Sequence, residues 1–357
     1  MPRPADRNMP SSPSIAIVGV TGAVGQEFLR VIDQRDFPYA NLKLLASMRS
    51  AGKTVEFRGQ TFTIEELTET SFADVDLALF SAGTSISKKF APIAVEAGAV
   101  VVDNSSAFRM TDGVPLIVPE ANADAIGNDI QLGVAGKAGI IANPNCSTII
   151  MLVPVTPLHR AAGVKRMVVS TYQAASGAGA AAMAELEQQT REVLNDEPPT
   201  CNIFPMQYAF NLFSHNSDIG SEGYNTEELK MVHETHKIWG TTSPRITATC
   251  VRVPVMRAHA ESINLEFDSL LNEDAARDIL SAAPGVTVID DRPSNRFPTP
   301  LDASHEDDIF VGRIRNDISR PDGNGLDLFV CGDQIRKGAA LNAVQIAEVL
   351  VQRVPVG

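Results

Sequence analysis

A strand, a glycine-rich turn and a helix near the start of the chain constrain its fold more than any other feature. The apolar run at 14–18 ends at Gly19, Gly22 and Gly25, and residues 26–30 continue as a helix. Small residues at this spacing let the backbone approach a pyrophosphate at a helix N-terminus. Glycines alone are weak evidence, because any tight turn from strand to helix favours them. Their position directly after the first strand is what predicts a dinucleotide-binding domain.

The order of elements over the first 140 residues extends this prediction to a whole sheet. Further apolar runs that end in small polar residues lie at 42–46, 76–80 and 99–103, and a helical segment lies at 87–96. Strands that alternate with helices predict a mostly parallel sheet, whose ligand crevice lies beyond the carboxyl ends of the strands. Arg109 follows one such end, so we expect it to face the crevice, with a surface ion pair as the alternative.

The residues after the second strand bear on the choice of cofactor. An NAD site usually has Asp or Glu there to bind the 2′-hydroxyl of the ribose, whereas this chain has Arg49 and Ser50. A cation beside a hydroxyl suits a 2′-phosphate, so the sequence favours NADP. The alternative is that Arg49 is a solvated surface charge, which is the commoner fate of a single arginine.

The pattern changes after residue 143 and predicts a second, α+β domain. Predicted strands lie at 167–173, 246–253, 262–267 and 286–289, and predicted helices at 180–194, 227–238 and 273–282. The turn-rich segment 317–325 joins two further strands, and apolar residues at helical spacing in 339–354 predict a last helix that returns to the first domain. The predicted division is a disordered lead-in at 1–13, a dinucleotide domain at 14–142 with 338–357, and a catalytic and dimerisation domain at 143–337.

Composition narrows the class of protein. A chain of 357 residues is long enough for two domains, and a net charge of −13 argues against a nucleic-acid or anionic-membrane partner. The four cysteines are far apart, with no zinc-ligand spacing, which indicates free thiols in a reducing compartment and no bound metal. We find no apolar run near the roughly 20 residues that span a bilayer, and we expect a cytoplasmic protein without a membrane partner.

Cys146 is the candidate nucleophile. It lies in the segment 143–148 before the apolar run 149–153, which predicts that it begins a buried helix. The partial positive charge of a helix N-terminus favours a thiolate. The alternative is that Cys146 is an inert buried residue, as most cysteines in proteins are.

Other charged residues are candidates for the same site. Arg252 ends an alternating strand, so partial burial and an anionic partner are expected. Glu227 and Lys230 are neighbours on one helix face, and their spacing alone favours an ordinary solvated pair. Beyond Pro254, strand parity no longer predicts where His259 points. His233 and His236 lack further ligands at metal spacing, so we interpret them as surface residues.

Several motifs, in order along the chain, together resemble the aspartate-β-semialdehyde dehydrogenase family. They lie at 18–25, 46–53, 102–110, 143–148, 171–179, 252–259 and 331–340. The resemblance covers essentially the whole chain after Pro13. It implies an NADP-dependent enzyme with a Rossmann-like first domain, acting on a small-molecule substrate and inorganic phosphate, and a homodimer or a tetramer of dimers with its interface in the second domain.

The resemblance also implies a role for each site residue. Cys146 would accept the acyl group, His259 would act as acid and base, and Gln173 would orient the reacting group. Arg252 and Glu227 would hold the α-carboxylate and the α-amino group of the substrate, and Arg109 and Lys230 would bind phosphate. The cofactor contacts would be Gly19, Thr21, Gly22, Ala23, Val24, Arg49, Ser50, Ser176, Gly177 and Gln334.

Two other functions compete with this one. An N-acetyl-γ-glutamyl-phosphate reductase uses the same thioester chemistry, but its substrate has no ammonium for Glu227 and its cysteine motif differs from Asn145-Cys146-Ser147-Thr148. A catalytically silent NADP-binding redox sensor would need only Cys146, so the full set of catalytic residues argues against it.

Overall fold

The computed structural model describes residues 9–126, 139–320 and 322–352. Of the predicted lead-in, residues 1–8 lie outside the described residues, and Met9 is buried in the apolar core of the first sheet. The chain divides into two compact units. The first runs to Asn145 and resumes at Ala339, and the second is Cys146–Gly338.

The first unit is built on a seven-stranded sheet. Its strands are β1 (Ser14–Val18), β2 (Asn41–Ala46), β3 (Thr54–Phe57), β4 (Gln60–Glu66), β5 (Leu77–Phe80), β6 (Val100–Asp103) and β7 (Ile140–Ala142). Their order in the sheet is β3-β4-β2-β1-β5-β6-β7, and every pairing except the β3/β4 hairpin is parallel. The predicted parallel sheet is confirmed, and the hairpin β3/β4 is an addition that the apolar pattern did not reveal.

The connection from β1 into the first helix explains the three glycines. Helix α1 (Ala23–Gln34) begins directly after Gly22, and Gly19 has a φ of +88°, a left-handed conformation that favours glycine. A Cβ added to Gly25 would lie 2.2 Å from the Gly19 carbonyl oxygen. In this closed turn the backbone at Gly25 packs directly against the backbone of Gly19, which leaves no room for a side chain at position 25. Because β1 lies between β2 and β5, the chain reverses direction across the sheet here, and such a switch point is where dinucleotides bind.

Three more helices complete the first unit. They are α2 (Thr84–Glu96), α3 (Pro119–Asn122) and the last helix of the chain, α9 (Leu341–Gln352). Helix α9 contacts α1, α3 and β6, and its apolar residues Leu341, Val344 and Ala347 are buried in the core of this unit. The predicted return of the C-terminal helix to the first domain is confirmed. The end of the predicted segment, 353–354, lies outside the described residues.

The second unit contains the other seven-stranded sheet. Its strands are β8 (Val164–Gln173), β9 (Phe213–Ser214), β10 (Arg245–Arg252), β11 (His259–Phe267), β12 (Val286–Val288), β13 (Ile309–Asn316) and β14 (Gly325–Gly332). The order is β12-β13-β14-β11-β8-β10-β9, with parallel and antiparallel pairs mixed. Strand β10 ends before Pro254, and the predicted turn segment joins β13 to β14 as expected, although its residue 321 lies outside the described residues.

Helices of the second unit bring side chains to the ends of these strands. They are α4 (Cys146–Ala162), α5 (Ala180–Leu194), α6 (Thr226–Trp239), α7 (Glu273–Ala282) and α8 (Pro300–Ala303). Helix α4 begins at Cys146 and is buried along most of its length against β8, β11, β13 and β14. Helix α6 starts with a capping box of Asn225 and Glu228 and ends at Gly240, whose φ is +64°. The first cap fixes where the helix begins, just before Glu227, and the second fixes where it ends.

None of the helices in 9–126, 139–320 and 322–352 has the length and apolar content needed to cross a membrane. Within those same ranges, no three His, Cys, Asp or Glu side chains are grouped so that they could hold a metal ion.

Replacement of Gly25 by alanine tests the closed turn. Alanine normally stabilises a helix relative to glycine, but here its Cβ would collide with backbone of Gly19 and Val20. We expect Gly25→Ala to lower the free energy of unfolding by about 1–3 kcal/mol, measured as a fall in Tm by calorimetry. The matched control is Gly22→Ala, whose Cβ would lie at an ordinary 3.4 Å from the Gly19 oxygen. Equal losses in both variants would contradict the explanation.

Candidate active site

The centre of the site is the contact between Cys146 and His259. Sγ of Cys146, in the first turn of α4, lies 3.6 Å from Nε2 of His259, the first residue of β11. His259 is completely buried, whereas Cys146 is partly exposed. Burial raises the pKa of the Cys250 and Cys331 thiols, which keeps those two protonated. The fold thus brings together the two residues that the sequence offered as nucleophile and acid–base group.

One backbone hydrogen bond determines the tautomer of His259. The N–H of Ala174 donates to Nδ1 at 3.0 Å, so Nδ1 carries a lone pair. Burial, and next the charge of Arg252, lowers the pKa of His259 well below its ordinary value, so the ring is neutral near pH 7. A neutral ring with a lone pair on Nδ1 carries its proton on Nε2. The imidazole therefore directs an N–H at the sulfur, which is the arrangement that stabilises a thiolate.

Gln173 and Glu227 form a buried hydrogen-bonded pair beside this centre. Gln173 Nε2 donates to Glu227 Oε1 at 3.1 Å, and Thr171 Oγ1 donates to Gln173 Oε1 at 3.2 Å, which fixes the orientation of the amide. Lys230 Nζ donates to the other oxygen of Glu227 at 2.8 Å. Glu227 is only 5% exposed, so the solvated pair that spacing alone favoured is wrong. Spacing shows that two residues are neighbours on a helix but not that their face is buried.

Arg252 is a buried cation at the end of β10. Its Nη1 donates to the Ala174 carbonyl at 3.0 Å, and its Nη2 lies 2.7 Å from Nε2 of His215. Its guanidinium lies 5.8 Å from the centre of the Phe204 ring. Among the described residues, no carboxylate is within ion-pair distance of Arg252, and its buried Nε–H has no acceptor. The burial of Arg252 agrees with the expectation from its place at the strand end. A buried donor without an acceptor is suited to bind an anion, so the anionic partner stays a prediction.

The loop after β14 forms one wall of the site. Asp333 is buried, accepts the backbone N–H groups of Ile335 and Arg336, and binds Arg257 Nε at 2.5 Å. Its neighbour Gln334 donates to Ser176 Oγ and accepts the N–H of Ala258 at 3.0 Å. Ala258 has a φ of +68°, which is uncommon for a residue with a Cβ. This bond therefore holds strained backbone immediately before His259.

Two glycines of the second unit leave space around the reacting groups. A Cβ on Gly177 would lie 2.9 Å from Cε1 of His259 and 3.1 Å from Nη1 of Arg252. A Cβ on Gly338, in the short π-helical segment Arg336–Ala340, would lie 2.9 Å from Cβ of Cys146. Gly177, which the resemblance implied as a cofactor contact together with Ser176, thus adjoins the imidazole of His259 and the guanidinium of Arg252.

The first unit holds the remaining predicted residues. Arg109 is buried, with Nε bound to the Asn143 carbonyl at 2.9 Å and Nη2 to the Asn104 carbonyl at 2.8 Å, so a surface ion pair does not describe it. Arg49 is exposed just after β2, and Ser50 is half-buried. At the start of α1, Thr21 and Gly22 are exposed, and no side chain caps the helix. An open helix N-terminus after a glycine turn fits a pyrophosphate.

Sequence reasoning missed His215 and Asp333. Both act through contacts to residues distant along the chain, and neither has a spacing that indicates its partner. It also missed Glu261, which is completely buried on β11 two residues after His259. Neither of its carboxylate oxygens has a hydrogen-bond partner among the described residues, and burial raises its pKa well above the ordinary value.

The comparisons with known proteins agree with this fold. The family described as semialdehyde dehydrogenase, NAD binding domain, matches residues 14–129, and the semialdehyde dehydrogenase dimerisation domain matches residues 155–337. The aspartate-semialdehyde dehydrogenase of Synechocystis sp. is 55% identical over 97% of this chain and 99% of its own length. That of Legionella pneumophila is 49% identical over 94% and 95%.

Solved structures give the same result. The aspartate semialdehyde dehydrogenase II of Vibrio cholerae superposes with a TM-score of 0.91 at 45% identity, covering 96% of this chain and 99% of that one. A probable aspartate-semialdehyde dehydrogenase of Pseudomonas aeruginosa gives a TM-score of 0.89 at 28% identity, with coverage of 96% and 99%.

A dinucleotide-binding sheet joined to a unit with a cysteine–histidine pair defines an oxidoreductase of the semialdehyde dehydrogenase class, with a nicotinamide dinucleotide as its cofactor. The chain belongs to the aspartate-semialdehyde dehydrogenase family. It is thus an enzyme of amino-acid biosynthesis and a homo-oligomer.

The buried Glu261 generates a prediction about stability and pH. Its pKa is raised in the folded state, so the stability that its protonated form contributes is complete below about pH 4.5 and is lost as the pH rises. Glu261→Gln keeps the shape without the titration. We expect its Tm to exceed that of the wild type by a few degrees, to order of magnitude, at pH 8, and the difference to shrink toward pH 4.5. The control is Glu222→Gln at an exposed position. A difference that does not change with pH would contradict the argument.

Proposed function

We propose that this chain catalyses the reductive dephosphorylation of L-aspartyl-4-phosphate to L-aspartate 4-semialdehyde with NADPH, through a thioester on Cys146. The observation that carries the proposal is the 3.6 Å contact of Cys146 Sγ with a histidine nitrogen that bears the ring proton. The relative from Vibrio cholerae was solved in a complex with ASA, which supports the same substrate for this chain.

Acyl transfer is the first part of the proposed mechanism. The thiolate of Cys146, at the N-terminus of α4 and beside His259 Nε2–H, attacks the acyl carbon. A C–S bond forms, the C–O bond to phosphate breaks, and inorganic phosphate leaves toward Arg109 and Lys230. The proposal starts from this thiolate, whose negative charge the Nε2–H donor and the N-terminus of α4 stabilise. Splitting the reaction at a thioester makes each half easier.

Reduction of the thioester is the second part. The reduced nicotinamide supplies a hydride when it is bound. His259 Nε2–H donates to the acyl oxygen as negative charge develops there, and Gln173, held by Thr171 and Glu227, orients the same group. The tetrahedral intermediate on Cys146 then collapses, the C–S bond breaks, and the thiolate returns to its hydrogen bond with Nε2–H. In this proposal His259 acts as a hydrogen-bond donor to the thiolate and to the acyl oxygen, which is narrower than the acid–base role that the resemblance implies.

Recognition of the amino-acid end uses the buried charges. Arg252 has donors directed at an anion and would bind the α-carboxylate, and the carboxylate of Glu227 would bind the α-ammonium. The open N-terminus of α1 fits the pyrophosphate of the cofactor, with contacts from Gly19, Thr21, Gly22, Ala23 and Val24. Ser176, Gly177 and Gln334 would contact the same cofactor. We propose NADP, with Arg49 and Ser50 at the 2′-phosphate, in a cytoplasmic homodimer or tetramer of dimers.

The first experiment is phosphate-dependent reduction of NADP by the purified protein with aspartate semialdehyde, followed at the absorbance of the reduced nicotinamide. Turnover that requires both phosphate and aspartate semialdehyde is expected, with none from N-acetylglutamate semialdehyde. Cys146→Ser should lose roughly 10³-fold or more of kcat and keep NADP binding. Cys201→Ser, at an exposed thiol, is the matched control and should keep full rate. Wild-type activity of Cys146→Ser would refute the thioester mechanism.

Arg49→Ala tests the choice of cofactor. Loss of a charge-assisted contact to the 2′-phosphate should raise KM for NADP by about 10- to 100-fold and leave KM for NAD within about twofold. Lys53→Ala, at an exposed lysine three residues beyond Ser50, is the control for a general loss of positive charge. Equal changes for NADP and NAD in Arg49→Ala would show that Arg49 does not distinguish them.

A further inference from the structure

His215 contacts the residue proposed to bind the substrate carboxylate. It follows β9 directly, and its backbone N–H is bound to the Cys250 carbonyl at 2.9 Å, which fixes it beside the end of β10. Its Nε2 lies 2.7 Å from Nη2 of Arg252, the shortest of the hydrogen bonds that hold this guanidinium among the described residues. No role for His215 follows from the mechanism above.

The direction of this hydrogen bond determines the tautomer of His215. A guanidinium only donates, so Nε2 must accept and cannot carry a proton. A neutral ring then has its proton on Nδ1, which lies 3.1 Å from Ser217 Oγ and donates to it. The backbone N–H of Ser217 is directed at the same nitrogen at 3.3 Å, and it could donate only to an unprotonated Nδ1. Because Nε2 already accepts from Arg252, the neutral ring keeps its proton on Nδ1 and uses the shorter contact to the Ser217 hydroxyl. This orientation is opposite to that of His259, where backbone fixes the proton on Nε2.

Burial, more than charge, keeps His215 in this neutral form. Its pKa is lowered to about 4, mainly by burial and also by the positive charges of Arg252 and Lys230, against an opposing effect of Glu227. Near pH 7 the ring therefore accepts from Arg252 instead of repelling it.

The same chain of bonds continues to Glu227. Ser217 Oγ accepts the backbone N–H of Glu227 at 3.2 Å, in the first turn of α6. Arg252, His215, Ser217 and the Glu227 backbone thus form one continuous series of hydrogen bonds. Its two ends are the residues proposed to bind the carboxylate and the ammonium of one small amino acid, whose charged groups are separated by a single carbon.

We infer that His215 is a positioning residue that aims Arg252 at the substrate α-carboxylate and, through Ser217, fixes its distance from Glu227. The inference rests on the proposed role of Arg252. It makes His215 a determinant of specificity for substrates that carry both charges. A substrate without the carboxylate does not use this contact, and the chemistry at Cys146 does not depend on it.

Kinetics of His215→Leu and His215→Gln test the inference. Leucine removes the acceptor, whereas the glutamine oxygen Oε1 reaches the position of Nε2 and accepts from Arg252. For aspartate semialdehyde, we expect KM to rise by roughly 10- to 100-fold in His215→Leu, with kcat within about threefold, and to return within about threefold of wild type in His215→Gln. KM for 3-aminopropanal, which lacks the carboxylate, should change less than about twofold in both variants.

Three controls separate this inference from the proposed function. His233→Gln, at an exposed position on α6, should match the wild type. Arg252→Ala should raise KM for aspartate semialdehyde, and His215→Leu should add nothing to it in the double variant. An effect of Arg252→Ala without one of His215→Leu would overturn the role of His215 alone. Unchanged KM for aspartate semialdehyde in Arg252→Ala would overturn the proposed roles of both Arg252 and His215. An equal rise in KM for both aldehydes in His215→Leu would overturn the role of His215 in carboxylate specificity.

Discussion

The hydrogen bond from the Ala174 N–H to His259 Nδ1 is the interaction on which the site depends. It joins the end of β8 to the start of β11, and it leaves the ring only one position for its proton. Everything that the imidazole does toward Cys146 follows from that position. The backbone, and not a carboxylate, orients this histidine, so the orientation does not vary with the ionisation of a partner. The Ala258 N–H donates to Gln334 and so stabilises the strained backbone directly before His259, which also helps to fix the position of the ring.

The second unit also buries polar side-chain atoms that lack a hydrogen-bond partner. Arg252 keeps an unsatisfied Nε–H, and Glu261 keeps two unsatisfied oxygens in the same sheet. Such groups cost free energy of folding unless a ligand or a proton satisfies them. Arg252 lies at the end of its strand, where a substrate can reach it. Glu261 lies opposite Thr171, two residues along β8 from Gln173, the partner of Arg252, and the uptake of a proton compensates its burial.

Much of the fold follows from the sequence because its causes are local. The glycine turn, the start of α4 at Cys146, the strand end before Pro254 and the hairpin around 317–325 depend on neighbouring residues. The burial of Glu227 and the contacts of His215 and Asp333 do not, because they depend on which elements the fold brings together. Motifs that resemble a family indicated Glu227 where spacing misjudged it. They gave no indication of His215, whose effect passes through Arg252.

The two glycines that border the reacting groups limit how this enzyme can change. Gly177 faces the imidazole and Gly338 faces the nucleophile, each at a distance that no side chain, even a methyl group, can occupy without displacing them. Both positions are therefore closed to the gradual substitutions by which binding sites usually acquire new substrates. Variation that preserves the chemistry has to enter through the residues behind Arg252 and Glu227. The scaffold thus separates the part of the site that must stay constant from the part that evolution can adjust.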